Sequence, residues 1–99
     1  VEEVHESYEK VPAYSDLDVN LHVNNVKYIE WILDLFSLEY HKIYRIEEFE
    51  INFRSEVAYN ELVKLESQND TTQNAFIVRG INQETGNSAF RSFIKWSKI

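Results

Sequence analysis

Three polar side chains alternate with apolar ones in the segment SDLDVNLHVNN, which begins at Ser15. Asp18, Asn20 and His22 are each two residues apart, and a spacing of two places side chains on one face of an extended segment. A carboxylate can activate water, an imidazole can transfer protons near neutral pH, and an amide can orient either group. These residue types in this order suit the transfer of an acyl group to water.

An apolar helix is predicted directly after the three polar residues. It begins near Asn24 or Asn25, since Asn is a favoured N-cap, and it ends within residues 37–40. Its apolar stripe has the helical period, at Val26, Ile29, Leu33 and Phe36. The free N–H groups and the dipole at a helix start favour developing negative charge, so they could serve as an oxyanion hole. Asp and Asn also cap and turn in ordinary loops, and on the pattern alone that explanation is favoured.

Strand patterns account for most of the remaining sequence. A first strand is predicted within SYEKVPAY, ending near Tyr14, after a solvated entry segment VEEVHE. Four more follow the helix, in FEINFR, LVKL, NAFIVRGIN and SAFRSFIKW, separated by the turn signals AYNE, NDTTQN and ETGN. The order β–α–β–β–β–β predicts an α+β fold, with an antiparallel sheet wrapped over the helix.

The composition limits the partners. The 99 residues suit one domain, and a net charge of −7 argues against nucleic acid or an anionic membrane as the main partner. With no Cys there is no disulfide and no thiolate ligand or nucleophile. His5 and His41 lack partners at metal spacing and are predicted to lie at the surface, so no metal and no cofactor is expected. The absence of Met suggests a segment of a longer protein.

Two stretches carry a resemblance to a known family. DLDVNLHVNNVKYIEWILD and FEINFRSEVAYNELVKLES are similar to acyl-acyl carrier protein (acyl-ACP) thioesterases, hotdog-fold enzymes that release free fatty acid and terminate fatty acid synthesis. The resemblance implies that Asp18, Asn20 and His22 are catalytic. It also implies that Glu56 is their acidic partner, since it occupies the Glu of the family's Glu-Cys pair.

The sequence departs from the family at Val57, which stands where the Cys is expected. A Cys nucleophile cannot operate here, so the expected mechanism is attack by water, assisted by a carboxylate and His22. Which of Asp18 and Glu56 is the base stays open. Asn24 and Asn25 are candidate substrate-binding residues, although Asn24 is better explained as a helix cap.

The resemblance also bears on assembly and partners. Family members have two hotdog repeats, so residues 1–99 are expected to form a single hotdog domain, the C-terminal repeat of a longer chain. It would pair with a second repeat or form a homodimer, act on acyl carrier protein, and reside in a bacterial cytoplasm. A docking patch for that acidic partner would need basic residues, of which the candidates are Lys42, Arg45, Arg54 and Lys64. Because the chain is acidic, two alternatives stay open: a hotdog acyl-CoA thioesterase, and a non-catalytic dimerisation or acyl-binding module.

Overall fold

A five-stranded antiparallel sheet forms the body of the protein. The computed structural model describes residues 2–99, with side chains described from residue 8 onward. The strands are β1 (Glu2–Lys10), β2 (Tyr44–Phe53), β3 (Val63–Asp70), β4 (Ala75–Asn82) and β5 (Ser88–Lys98). Their order across the sheet is β1-β3-β4-β5-β2, which leaves β1 and β2 as the edge strands. The predicted α+β fold with an antiparallel sheet is confirmed.

Two helices stand where one was predicted. A single 3-10 turn covers Tyr14–Asp16, α1 covers Asn25–Leu33, and α2 covers Leu38–Ile43. The break falls at Ser37, whose side chain accepts a hydrogen bond from the Tyr40 amide at 3.1 Å and caps α2. Serine competes with the backbone inside a helix but stabilises a helix start, so the single long helix was a wrong prediction.

The core lies between α1 and the sheet. Tyr28, Trp31 and Ile32 are the buried residues of α1, and they belong to one cluster with Leu65 and Phe90 from the strands. The predicted stripe is therefore rotated: Val26, in the first turn of α1, is exposed. An aromatic side chain can bury a large area from the flank of a helix, and here Tyr28 and Trp31 do so.

The first strand begins earlier than predicted. It pairs with β3 from Glu2 opposite Asp70 to Lys10 opposite Val63, with one irregularity between Val4 and Glu6. The solvated entry predicted for residues 1–6 is therefore wrong from residue 2 onward, because ladder hydrogen bonds hold even a polar edge strand. The strand stops before Pro12, which has no N–H to donate.

The three predicted turns are confirmed by backbone geometry. Each contains a residue with positive φ: Asn60 at 67°, Asn74 at 51° and Gly86 at 78°. Asn and Gly tolerate this left-handed conformation better than other residues.

Among the described residues, no helix has the length and apolar character needed to span a membrane.

Candidate active site

The segment that carries the three polar residues is a tight loop. The Asp18 amide donates to the His22 carbonyl at 2.9 Å, and the Leu21 amide donates to the Asp18 carbonyl at 3.0 Å. The Asp18 carboxylate closes the loop from inside, since Oδ1 accepts from the amides of Asn20 at 2.9 Å and His22 at 3.3 Å. Asp18 thus stabilises the loop in the manner of an Asx turn.

The loop overturns the prediction of an extended segment. In an extended segment the alternating Val19, Leu21 and Val23 would all pack inward, but only Val23 of these three is buried, while Val19 is 97% exposed and Leu21 is 61% exposed. Leu21 has φ of 63°, a left-handed conformation that ends any alternation of faces. Asn20 therefore does not share the face of Asp18 and His22 by strand geometry.

A polar cavity of about 380 Å³ opens between the loop, the start of α1 and the segment that follows β2. Its lining includes the candidate site residues Asp18, His22, Asn24, Asn25 and Glu56, together with the docking candidate Arg54. Asn20 is exposed and is not part of this lining. The structure thus brings together five of the six candidate site residues.

Backbone pairing fixes the relation of His22 to Glu56. His22 forms an antiparallel bridge with Ala58, and the Val23 amide donates to the Val57 carbonyl at 2.8 Å. His22 Nδ1 then lies 3.5 Å from Glu56 Oε2, with side chains 38% and 76% exposed. An exposed pair of this kind contributes little to stability. Both groups are accessible for proton transfer with a molecule in the cavity.

The start of α1 forms one wall of the cavity. Asn24 Oδ1 accepts from the Val26 amide at 3.0 Å, which confirms Asn24 as the N-cap. Asn25, the first helical residue, is exposed and also lines the cavity. The positive end of the helix dipole therefore faces the space beside His22 and Glu56.

Tyr28 and Glu61 surround the site without having been predicted as part of it. Burial, together with the negative charge of Glu56, raises the pKa of Tyr28 to about 12. The Tyr28 hydroxyl is buried near the Val57 amide but makes no hydrogen bond of normal geometry with any described residue. Hydrogen bonds from the Ala58 amide and the Asn82 side chain hold the pKa of Glu61 below its usual range, and His22 adds to this effect.

Sequence patterns carried only a weak signal for these two residues. The helical pattern places Tyr28 beside the apolar stripe, and Glu61 is the last residue of the turn signal AYNE. The hydrogen-bond partners of Glu61 are the Ala58 amide and the Asn82 side chain. The contact with Asn82 depends on how the two turns lie in the folded protein, which the local sequence does not reveal.

The predictions for His41, His5 and metal binding concern residues away from the cavity. His41 is partly buried, with Nε2 at 3.1 Å from the Leu33 carbonyl oxygen and its ring beside Trp96, so the surface prediction was wrong for it. The His5 side chain lies outside the described residues. No group of three His, Asp or Glu side chains suited to a metal occurs in the part of the chain that the structure describes.

The four basic residues expected to form a docking patch do not lie together. Arg45 is near the first residue of β2 and Arg54 follows the last. At about 3.3 Å per residue this places them about 30 Å apart. Lys64 pairs with Glu66 at 3.8 Å. Of the four, Arg54 is the one that lines the cavity.

An antiparallel sheet that packs against a helix, with a polar cavity at the start of that helix, is typical of a hotdog domain. Solved structures agree. An acyl-ACP thioesterase from Bacteroides thetaiotaomicron superposes with a TM-score of 0.82 at 31% identity, covering 91% of this chain and 36% of that one. The 12:0-ACP thioesterase of Umbellularia californica gives a TM-score of 0.85 at 21% identity, covering 97% and 36% of the two chains, and supports the fold.

Sequence comparison gives the family. A family model described as the acyl-ACP thioesterase C-terminal domain matches residues 2–98, and the chain belongs to this family. A palmitoyl-acyl carrier protein thioesterase of Gossypium hirsutum is 38% identical over 73 residues, which are 72% of this chain and 18% of that protein. A dodecanoyl-ACP hydrolase of Cinnamomum camphora is 36% identical over 53 residues, 54% and 14% of the two. The chain thus matches less than a fifth of the length of these two relatives.

Proposed function

We propose that this chain is the catalytic domain of an enzyme that hydrolyses the thioester of acyl-ACP and releases a free fatty acid. Membership of the family supports the reaction class. The observation that carries the proposal is the His22–Glu56 pair at 3.5 Å, in a cavity that also holds Asp18 and the start of α1. The attack of water on a carbonyl requires groups of these kinds.

The proposed mechanism uses water as the nucleophile. Glu56 takes a proton from a water molecule, whose oxygen adds to the thioester carbonyl and forms a tetrahedral intermediate. The Asn25 amide at the start of α1, with the helix dipole, stabilises its oxyanion, because the Val26 and Lys27 amides already donate to Asn24. The C–S bond then breaks, and the proton held by Glu56 passes through the His22 ring to the departing thiolate, so that both side chains return to their starting state. Val57 is fully buried, so the position at which the family has Cys contributes core packing here.

The geometry favours Glu56 over Asp18 as the base. Asp18 Oδ1 already accepts hydrogen bonds from two backbone amides, so this oxygen is engaged in holding the loop. Glu56 is mostly exposed and has His22 as its close partner. In this proposal Asp18 holds the loop, and Asn24 and Asn25, which line the cavity, contact the substrate, whereas Asn20 lies outside the cavity lining.

The proposed protein partner is an acyl carrier protein. Arg54, exposed at the cavity, is the basic residue best placed to meet an acidic carrier. Thiol release should be measured with acyl-ACP and acyl-CoA of equal chain length, using the protein as its natural gene encodes it. We expect a higher kcat/KM for acyl-ACP. A preference for acyl-CoA would identify an acyl-CoA thioesterase, and no hydrolysis of either would indicate a non-catalytic acyl-binding or dimerisation module.

We further propose that residues 1–99 form one hotdog repeat, the C-terminal one of a double-hotdog chain. β2 is an edge strand of ten residues, and its free edge can pair with a second repeat or a second copy.

We also propose that the protein resides in the cytoplasm of a bacterium. Fractionation of the native host would test this location, and recovery from an organelle would contradict it.

A further inference from the structure

Glu61 makes a set of contacts that the proposed chemistry does not use. Its Oε1 accepts from the Ala58 amide at 2.7 Å and from Asn82 Nδ2 at 3.0 Å. The Glu61 amide in turn donates to the Ala58 carbonyl at 3.2 Å. The side chain and backbone of Glu61 therefore close the turn 58–61 from both ends.

Asn82 anchors this carboxylate in the fold. It is fully buried, and its Oδ1 accepts from the amides of Glu84 at 2.9 Å and Thr85 at 3.3 Å. Because backbone amides can only donate, the oxygen of Asn82 must face them, and its NH₂ group must face Glu61. The turn after β4 thus holds the turn before β3 through one side chain.

The closed turn lies against the candidate site. Ala58, which Glu61 holds, forms the backbone bridge to His22 and is two residues from Glu56. His22 is also near enough to contribute to the lowered pKa of Glu61. Any movement of the Ala58 backbone would change the separation of His22 and Glu56.

We propose that Glu61, anchored by Asn82, is a positioning residue that holds the segment 56–58 and thereby sets the geometry of the His22–Glu56 pair. Glu61 acts through Ala58 and need not touch the substrate. This inference rests on the proposed thioester hydrolysis for its kinetic test, and on the contacts alone for its structural test.

The kinetic test separates the hydrogen bonds that the Glu61 side chain accepts from the effect of its negative charge. Glu61→Gln keeps an oxygen that can accept from Ala58 and Asn82, so we expect kcat for acyl-ACP within about threefold of the unmodified protein. Glu61→Ala loses both contacts, and we expect kcat per folded molecule to fall about 10- to 100-fold with KM little changed, as for a small displacement of catalytic groups. Glu66→Ala is the matched control, since Glu66 pairs with Arg79 at 2.9 Å in β3 and should leave kcat unchanged.

The structural test needs no activity. In the unmodified protein, the amide proton resonance of Ala58 should move as Glu61 is protonated, below the ordinary carboxyl pKa of 4.5. In Glu61→Gln it should no longer move. If the amide proton resonance of Ala58 in the unmodified protein did not shift as Glu61 is protonated, the proposal would be overturned, even if Glu61→Ala does not fold.

Two kinetic results would also overturn it. One is an equal loss of kcat in Glu61→Gln and Glu61→Ala, which would make the charge the active feature. The other is normal kcat in Glu61→Ala. Absence of hydrolysis by the unmodified protein would instead refute the proposed function, and the Ala58 resonance would still decide the role of Glu61.

Discussion

At the residue scale, the two carboxylates of the site differ in their surroundings. Asp18 is bonded to backbone amides of its own loop, whereas Glu56 faces His22. The family resemblance identified both residues, but no sequence pattern could assign their roles. The assignment depends on the loop that Leu21 completes in a left-handed conformation, and a Leu gives no signal for positive φ.

A substitution pair at Asp18 tests the role of its carboxylate. Asp18→Asn keeps an oxygen that accepts from the amides of Asn20 and His22, so we expect most of the activity to remain. Asp18→Ala removes both hydrogen bonds, and we expect kcat to fall at least about tenfold as the loop loosens. Steady-state thiol release with acyl-ACP measures both. An equal and large loss in both variants would make Asp18 the base and contradict this assignment.

Tyr28 offers a test of stability at the same scale. Among the described residues, none forms a hydrogen bond of normal geometry with its buried hydroxyl, and an unsatisfied polar group costs about 1–3 kcal/mol. We therefore expect Tyr28→Phe to leave the free energy of unfolding unchanged or to raise it by about 1 kcal/mol, measured by urea denaturation.

Tyr40→Phe is the matched control for this measurement. The Tyr40 hydroxyl donates to Asn74 Oδ1 at 3.2 Å, so its removal should lower the free energy of unfolding by about 1 kcal/mol. If Tyr28→Phe destabilised the protein as much as Tyr40→Phe does, the Tyr28 hydroxyl would have a partner after all.

At the scale of elements, the strands that follow the helix and their turns were predictable, and the loop before the helix was not. Alternation and turn residues marked β3, β4 and β5, because these strands bury alternate residues and each pairs with its neighbour in sequence. In β2, the alternation in FEINFR was the signal. The same alternation in residues 18–23 was misleading, since the Asp18 carboxylate accepts from the amides of Asn20 and His22 and holds a loop in which Val19 and Leu21 are exposed. The break between α1 and α2 was missed because Ser37 was read as the end of one helix and not as the start of another.

The cap of α1 supports both the fold and the cavity wall. We expect Asn24→Ala to lower the free energy of unfolding by about 1 kcal/mol, because the Val26 amide loses its partner. Asn24→Ser should recover most of that loss, since serine can accept from the same amide. Thermal unfolding of the three proteins measures the difference. Equal stability of Asn24→Ala and the unmodified protein would show that the cap contributes nothing.

At the scale of the whole molecule, the expectation of a dimer rests on the open edge of β2. A strand of ten residues with exposed apolar side chains at Ile46 and Phe53 presents unpaired backbone groups to solvent. We expect the 99-residue chain to form a symmetric dimer, with a mass twice the 11.8 kDa of one chain. Light scattering over a range of concentrations measures this, and a monomer at every concentration would contradict it.

The central claim is that Glu56 and His22 act together in thioester hydrolysis. The most direct test is kcat for thiol release from acyl-ACP by Glu56→Gln, with Glu47→Gln as the control because Glu47 is an exposed strand carboxylate paired with Lys95. We predict a fall of about 100-fold or more for Glu56→Gln, the size expected for loss of a general base, with unchanged unfolding and normal kcat in the control. A kcat for Glu56→Gln within threefold of the unmodified protein would contradict the account.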